Sequence, residues 1–193
     1  MKKSILYLLL ILCIQTGFSQ DNTSVSFFNL SNHVGGFGGF EFTFNKDGKA
    51  IIIGEGAFLY RNFYIGGFGN GSIYNDQLSK NDDQIYSLNS GQGGFSLGAY
   101  SNTNKKIALF IECKFGFGEA YAKRELSENI YEEYSSFLYT TTPKMGISYN
   151  PIKPIQVRLD TAYQFTNKFD LNGISNSAFK GLIIGIGIYL GYF

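Results

Sequence analysis

Large apolar side chains alternate with small or polar ones over much of the chain, which is the period of a strand with two unlike faces. The clearest stretch is 106–118, where the apolar set is Ile107, Leu109, Ile111, Cys113, Phe115 and Phe117. Eight strands are predicted in this way, at 33–44, 50–60, 63–74, 92–102, 106–118, 136–149, 155–165 and 179–193. The second and third are so rich in glycine that the pattern does not fix their phase.

The connections between these strands alternate in length from the second strand onward. Short turns lie at 61–62, 103–105 and 150–154, and long polar loops lie at 75–91, 119–135 and 166–178. Outer-membrane barrels have short periplasmic turns and longer extracellular loops. The sequence therefore predicts an all-β fold, an eight-stranded antiparallel up-and-down transmembrane β-barrel, with the three long loops outside.

The face opposite the large apolar side chains is mostly Gly, Ala, Ser and Thr, with scattered charges. Small residues suit the narrow lumen of an eight-stranded barrel, whereas a water-facing exterior would be dense in long polar side chains. The charges predicted to face the lumen are Glu41, Glu55, Glu112, Lys114, Lys144, Arg158 and Asp160. Because buried charges must pair, we expect a network that plugs the lumen. A narrow small-solute pore and a secreted lipocalin-like carrier, with its apolar face inward, are the alternatives.

The first 19 residues have the pattern of a secretory signal peptide. Lys2 and Lys3 precede an apolar run over 5–14, which is too short for a transmembrane helix of about 20 residues. Cleavage before Gln20 leaves an N-terminal segment, 20–32, and a barrel, 33–193. Cys113 is then the single cysteine, so no internal disulfide is expected. Export and the barrel pattern together predict the outer membrane of a Gram-negative bacterium.

The overall composition excludes several classes of protein. Aromatic residues make up 17% of the chain and charged residues 16%, which is not the composition of a disordered protein. The 24 glycines argue against a helical bundle. A net charge of +1 leaves no basic surface for nucleic acid.

Catalytic and metal-binding chemistry is sparse. His33 is the only histidine, and Ser31 is its nearest candidate nucleophile. Lipid A deacylases of the outer membrane use a Ser and a His, so a lipid-modifying enzyme is an alternative function. However, His33 precedes the first strand at the predicted periplasmic end, opposite the leaflet that holds lipid A. No enzyme activity, metal or cofactor is predicted, since Cys113 lies on the lipid-facing side. The acidic segment 119–135 is expected to be a solvated loop, with a short surface helix or a divalent-cation site as alternatives.

The signal peptide, the strand count and the last strand, Gly-Leu-Ile-Ile-Gly-Ile-Gly-Ile-Tyr-Leu-Gly-Tyr-Phe, resemble the small eight-stranded outer-membrane β-barrel proteins of the OmpX and OmpA transmembrane-domain type. The resemblance implies that Phe193 is the terminal aromatic residue that helps the barrel-assembly machinery recognise the chain. In this sequence the aliphatic set is in phase with Tyr192 instead, which implies a bulge near the end or a less regular signal. Outer-membrane lipid is the other implied partner, and no ligand is implied.

The predicted role is therefore structural or interactive, in a monomer whose extracellular partner would bind loops 75–91, 119–135 and 166–178. Tyrosines near strand ends are expected to form an aromatic girdle at the membrane boundary. They are Tyr60, Tyr64, Tyr74, Tyr100, Tyr139, Tyr149, Tyr163, Tyr189 and Tyr192.

Overall fold

The computed structural model describes residues 34–45, 50–74, 76–102, 105–127 and 130–193. The predicted signal peptide, the segment 20–32, Ser31 and His33 lie outside the described residues. The strands are β1 Val34–Asn45, β2 Ala50–Tyr60, β3 Phe63–Ile73, β4 Gln77–Leu78, β5 Ile85–Tyr100, β6 Ile107–Ser127, β7 Ile130–Ile152, β8 Ile155–Thr166, β9 Asp170–Leu171, β10 Ile174–Ser175 and β11 Gly181–Tyr192. A 3₁₀ turn covers Asn176–Phe179. Among the described residues no helix has the length and hydropathy to cross a bilayer.

Eight of these strands close into one antiparallel ring, in the order β1, β2, β3, β5, β6, β7, β8 and β11, and β11 pairs with β1. Paired residues followed once around the ring from Gly35 end at Asn45, ten positions further along the same strand. This stagger is typical of barrels whose strands are inclined by about 35–45°. The predicted eight-stranded barrel is confirmed.

The exterior of the ring is apolar. Ile107 is 61% exposed, Leu159 57% and Ile186 50%, and side chains of this kind surround the barrel. The structure also fixes the phase of β2, which turns Ile52 and Phe58 outward and Glu55 inward. Only a lipid bilayer solvates such a surface, so the barrel is of the transmembrane type. The lipocalin-like alternative is wrong because it needs the apolar face inside.

Three strands, β5, β6 and β7, extend further into the long connections than the sequence pattern predicted. Strands β6 and β7 contain 21 and 23 residues and continue pairing beyond the apolar band, through Ala122 and Tyr134. The prediction that 119–135 is a loop or a short helix was therefore wrong, since most of it is a hairpin. The other long loops also carry structure: β4 and the start of β5 lie in 75–91, and β9, β10 and the 3₁₀ turn lie in 166–178. Above the membrane both faces of a strand meet polar surroundings, so the alternation that marks a strand fades.

Candidate functional site

Buried side chains line the lumen in successive layers, from the short-turn end to the opposite end, which carries the long connections and is termed the outer end. The seven predicted charges, termed the lumen network, all point into the lumen and are all buried, with each residue between 1% and 6% exposed. They are Glu41, Glu55, Glu112, Lys114, Lys144, Arg158 and Asp160. They divide into an ionic layer around the two lysines and a separate site around the arginine.

The ionic layer is built on two lysines that share four carboxylates. Lys114 Nζ lies 2.8 Å from Glu55 Oε2, 3.4 Å from Glu112 Oε1 and 3.6 Å from Glu41 Oε2. Lys144 Nζ lies 2.5 Å from Glu41 Oε1 and 3.5 Å from Asp160 Oδ1. Each ammonium group thus meets more than one carboxylate, which is the compensation that buried charges need.

Neutral hydroxyl groups donate hydrogen bonds to three of the four carboxylates in this layer. Ser96 donates a hydrogen bond to Glu55 at 2.8 Å, Tyr64 donates to Glu112 at 3.1 Å, and Tyr189 donates to Glu41 at 3.0 Å. These donors come from three different strands, so the layer ties the ring together across its interior.

Strand register and glycine explain why these side chains fit. Glu112 and Lys114 are two residues apart on β6 and share its inner face, and Lys144 lies directly opposite Glu112 on β7. Asp160 lies opposite Gly185 on β11. A Cβ atom at Gly185 would lie 2.7 Å from Asp160 Oδ1 and 2.8 Å from Glu41 Oε1. The glycine therefore provides the space into which the two carboxylates extend.

Arg158 lies nearer the short-turn end, surrounded by aromatic rings in what we term the arginine cage. The distances from its guanidinium carbon to the ring centroids are 3.9 Å for Tyr189, 4.3 Å for Phe37, 5.3 Å for Phe110, 5.4 Å for Tyr100 and 5.6 Å for Tyr64. Its Nε donates to Gln156 Oε1 at 2.7 Å, and its Nη2 donates to the hydroxyl of Tyr100. The contact with a carboxylate is long, 4.0 Å to Glu112 Oε2.

The arginine cage corrects part of the predicted aromatic girdle. Tyr64, Tyr100 and Tyr189 are buried in the lumen, and Tyr74 is buried near the outer end, so these four do not face lipid. Tyr60, Tyr149, Tyr163 and Tyr192 are exposed on the barrel exterior, and Tyr139 is half-buried. Proximity to a strand end was the wrong criterion. Tyr189, for example, is in phase with Gly187 and Gly191 on the lumen side of β11, and this phase could have been read from the sequence.

Phe193 closes the cage rather than facing lipid. Its ring stacks on that of Phe37 with centroids 5.4 Å apart. The pairing of β1 with β11 continues without a register shift to Gly36 and Tyr192, so the bulge expected near the end of β11 is absent from that pairing. Regular alternation turns Tyr192, which is 63% exposed, outward and leaves Phe193 to turn inward.

The outer end of the lumen is covered by an apolar cluster that we term the outer cap. It consists of Tyr74, Tyr86, Leu88, Ala120, Ala122, Leu138, Leu171, Ile174 and Phe179. The β9–β10 hairpin contributes two of them and is held by Asn172. Its side-chain amide donates to Asp82 Oδ2 at 3.0 Å, and its carbonyl accepts from Ser79 Oγ at 2.5 Å. A hydrogen bond from Tyr86 to the Asp82 carboxylate lowers the pKa of Asp82 to about 2, so this carboxylate stays ionised, and accepts these hydrogen bonds, well into the acidic range.

The hairpin of β6 and β7, termed the outer hairpin, projects beyond its neighbours. Pairing of β7 with β8 ends at Thr140 and Thr166. Asn167 then caps the edge of β7: its Oδ1 accepts from the Tyr139 N–H at 2.8 Å, and its Nδ2 donates to the Phe137 carbonyl at 3.0 Å. Over 130–136 no described strand pairs with this side of β7. In an antiparallel strand every second residue directs its backbone N–H and C=O to the same side. Because the N–H of Tyr139 points to the β8 side, the backbone groups of residues 131, 133 and 135 point to this open edge.

No family model and no curated protein matches the chain. Among solved structures, the chain is similar to Neisserial surface protein A (NspA), with a TM-score of 0.52 and 10% identity over 81% of this chain and 94% of that one. The chain has the fold of a small outer-membrane β-barrel. A de novo designed transmembrane β-barrel follows, with a TM-score of 0.49, 12% identity and coverage of 84% and 99%. Ail of Yersinia pestis gives a TM-score of 0.42, 10% identity and coverage of 82% and 97%.

The outer-membrane barrel fold agrees with the predicted outer-membrane localisation and with lipid as a partner of the exterior. The predictions about metal and catalytic residues depend on individual side chains instead. Within the part of the chain that the structure describes, no three His, Cys, Asp or Glu side chains converge to hold a metal ion. Cys113 lies half-buried on the exterior side of β6, the side predicted from its phase. The candidate pair of Ser31 and His33 falls outside the described residues.

Proposed function

We propose that the chain is a monomeric, non-catalytic outer-membrane protein whose plugged barrel supports a binding surface at the outer end. The observation that carries this proposal is the contrast between the two parts. Buried side chains form packed clusters in the lumen at the arginine cage and at the outer cap, while the outer hairpin leaves a strand edge open. The signal peptide over 1–19, which delivers the chain to the barrel-assembly machinery, belongs to the same proposal.

The lumen network supports a plug rather than a pore. A charge-selective pore needs a water-filled path lined by a dominant sign, whereas the lumen network holds four carboxylates in contact with two lysines, beside Arg158 in the arginine cage. In planar-bilayer recordings we expect the purified protein to give no stable channels. The double variant Tyr100→Ala and Arg158→Ala, which removes two large side chains from the arginine cage, serves as the positive control and should conduct more. Large, stable channels from the unaltered protein would contradict the plug.

The open edge of the outer hairpin suits addition of an extended strand from a partner. Such pairing uses main-chain hydrogen bonds for affinity and alternate side chains for specificity. Beside the edge, the outward positions on the two strands include Glu119, Glu125 and Glu133 and one cation, Lys123. The proposed partner is therefore an extended segment with Lys or Arg at alternate positions.

A labelled seven-residue peptide of alternating Lys and Val tests this surface by fluorescence anisotropy against the full chain in detergent. Ser135→Pro removes an N–H from the open edge while sparing the bonds of β7 to β6. We expect it to weaken peptide binding by about tenfold, the equivalent of about 1.4 kcal/mol. Ser135→Ala keeps the N–H and should bind as the unaltered chain does. Equal binding by the Pro and Ala variants would exclude strand addition at this edge.

A further inference from the structure

The charged side chains of the described residues are sorted into three groups, and none belongs to the apolar band around the barrel. One group is the lumen network. A second lies at the outer end and contains eight acidic and five basic residues, Asp76, Asp82, Asp83, Glu119, Glu125, Glu132, Glu133, Asp170, Lys80, Lys123, Arg124, Lys168 and Lys180. The third lies at the short-turn end and is entirely basic.

This third group, termed the basic ring, consists of Arg61, Lys105, Lys106 and Lys153. Each of the three short connections supplies at least one of these cations: β2 to β3, β5 to β6, and β7 to β8. All four side chains are exposed. The described residues at this end contain no acidic side chain to neutralise them. A cluster of one sign spread over three turns of a barrel mouth raises the local concentration of anions.

Large apolar and aromatic side chains flank the basic ring on the lipid side. Tyr60 is 54% exposed, Ile107 61% and Tyr149 47%, and each is within a few residues of one of the cations. The guanidinium of Arg61 lies 5.6 Å from the centroid of the Tyr60 ring. Exposed tyrosine marks the boundary between acyl chains and headgroups. The basic ring therefore lies at the depth of lipid phosphates rather than in free solution.

We propose that the basic ring binds the phosphates of anionic phospholipids in the periplasmic leaflet. The proposal rests on the proposed function, because it takes the short turns to face the periplasm. Each cation near an anionic membrane surface strengthens attraction severalfold, and the attraction falls off within a Debye length.

The test uses the full mature chain in vesicles of phosphatidylcholine with about one third phosphatidylglycerol, where both leaflets carry the anionic lipid and insertion direction does not matter. Electron spin resonance of spin-labelled phosphatidylglycerol and phosphatidylcholine measures their relative association constants. The triple variant Lys105→Gln, Lys106→Gln and Lys153→Gln removes most of the ring. Arg61 is left in place because it has a positive φ of 57° in a tight turn.

We expect the unaltered chain to prefer phosphatidylglycerol by about threefold or more at low salt, and the preference to fall toward one in 1 M salt. The triple variant should lose it. The matched control Lys80→Gln, Lys168→Gln and Lys180→Gln removes three exposed cations from the outer end and should keep it.

The proposed lipid binding by the basic ring would be overturned if the basic-ring variant preferred phosphatidylglycerol as strongly as the unaltered chain does. It would also be overturned if the basic-ring variant and the outer-end control lost this preference equally. Insertion is followed in the same samples by circular dichroism and by heat-dependent migration on gels. A chain that inserts as a barrel but shows no preference overturns this inference alone. A chain that does not insert overturns the proposed function and this inference together.

Discussion

Two buried cations in one lumen are accommodated in different ways. Lys114 meets three carboxylates within 3.6 Å, whereas Arg158 is surrounded by five aromatic rings and has its nearest ion-pair contact at 4.0 Å. The compact, strongly hydrated ammonium requires anions when it leaves water, but the planar guanidinium is more weakly hydrated and stacks on ring faces. The side chain therefore sets what must surround a buried charge.

The largest loss of stability is expected when Lys114 is replaced by an apolar side chain. Lys114→Met leaves Glu41, Glu55 and Glu112 buried without their shared cation, and we expect it to lower the free energy of unfolding by about 3–5 kcal/mol. Urea unfolding in lipid vesicles, followed by circular dichroism, measures the loss. Lys106→Met, on the exposed rim, is the matched control and should be near neutral. Adding Glu55→Gln to Lys114→Met should restore part of the loss, and no restoration would argue against pairing as the cause.

Arg158→Met should lower the free energy of unfolding by less than Lys114→Met does, by about 2–3 kcal/mol. The groups that surround Arg158 are mainly neutral rings, so its replacement by methionine leaves fewer buried charges without a partner. Arg158→Lys sharpens the point. It keeps the charge but loses the planar stack and the bonds to Gln156 and Tyr100. We therefore expect the lysine variant to be no more stable than the methionine variant in the same urea titration. A lysine variant as stable as the unaltered chain would show that charge, rather than ring contact, holds this position.

Gly98→Ala tests the side chain of Tyr64, which contacts both the arginine cage and the ionic layer. Tyr64 belongs to the arginine cage and donates to Glu112, and a Cβ atom at Gly98 would lie 2.2 Å from Cζ of its ring. We expect the displaced ring to lower the free energy of unfolding by about 1–2 kcal/mol. Gly71→Ala is the control, since a Cβ atom there meets nothing within 4 Å. Equal urea midpoints for the two variants would mean that Tyr64 shifts without loss.

The smallest effect is expected from Phe193→Ala, which removes one ring from the mouth of the arginine cage. Phe193 stacks on Phe37 and is half-buried, so we expect a loss of about 1 kcal/mol. Phe193→Leu should retain most of the packing. A loss as large as that of Arg158→Met would show that the terminal ring holds the cage in place rather than merely covering it.

The alternation of side chains was sufficient to predict the barrel and to place six of the seven charges of the lumen network inside it. Glu55 lies on β2, and the phase of that glycine-rich strand was fixed only by the structure. The alternation could not predict the partners of these charges. Glu41 and Lys144 are 103 positions apart in the sequence and meet only because of the stagger of the closed ring, which no local pattern encodes. The cage was missed because its tyrosines were judged by position along the strand rather than by phase. The outer hairpin was missed because alternation fades where both faces of a strand are wet.

The seam between β1 and β11 governs the order in which the molecule can fold. It pairs Gly36 with Tyr192, near opposite ends of the sequence, so the ring cannot close before the last strand has taken its place. Until then the lumen stays open to water, and the charges within it remain hydrated. Dehydration and pairing of Glu41 with Lys144 therefore coincide with closure. Contacts of such long sequence separation form slowly, and we expect seam closure to dominate the folding barrier.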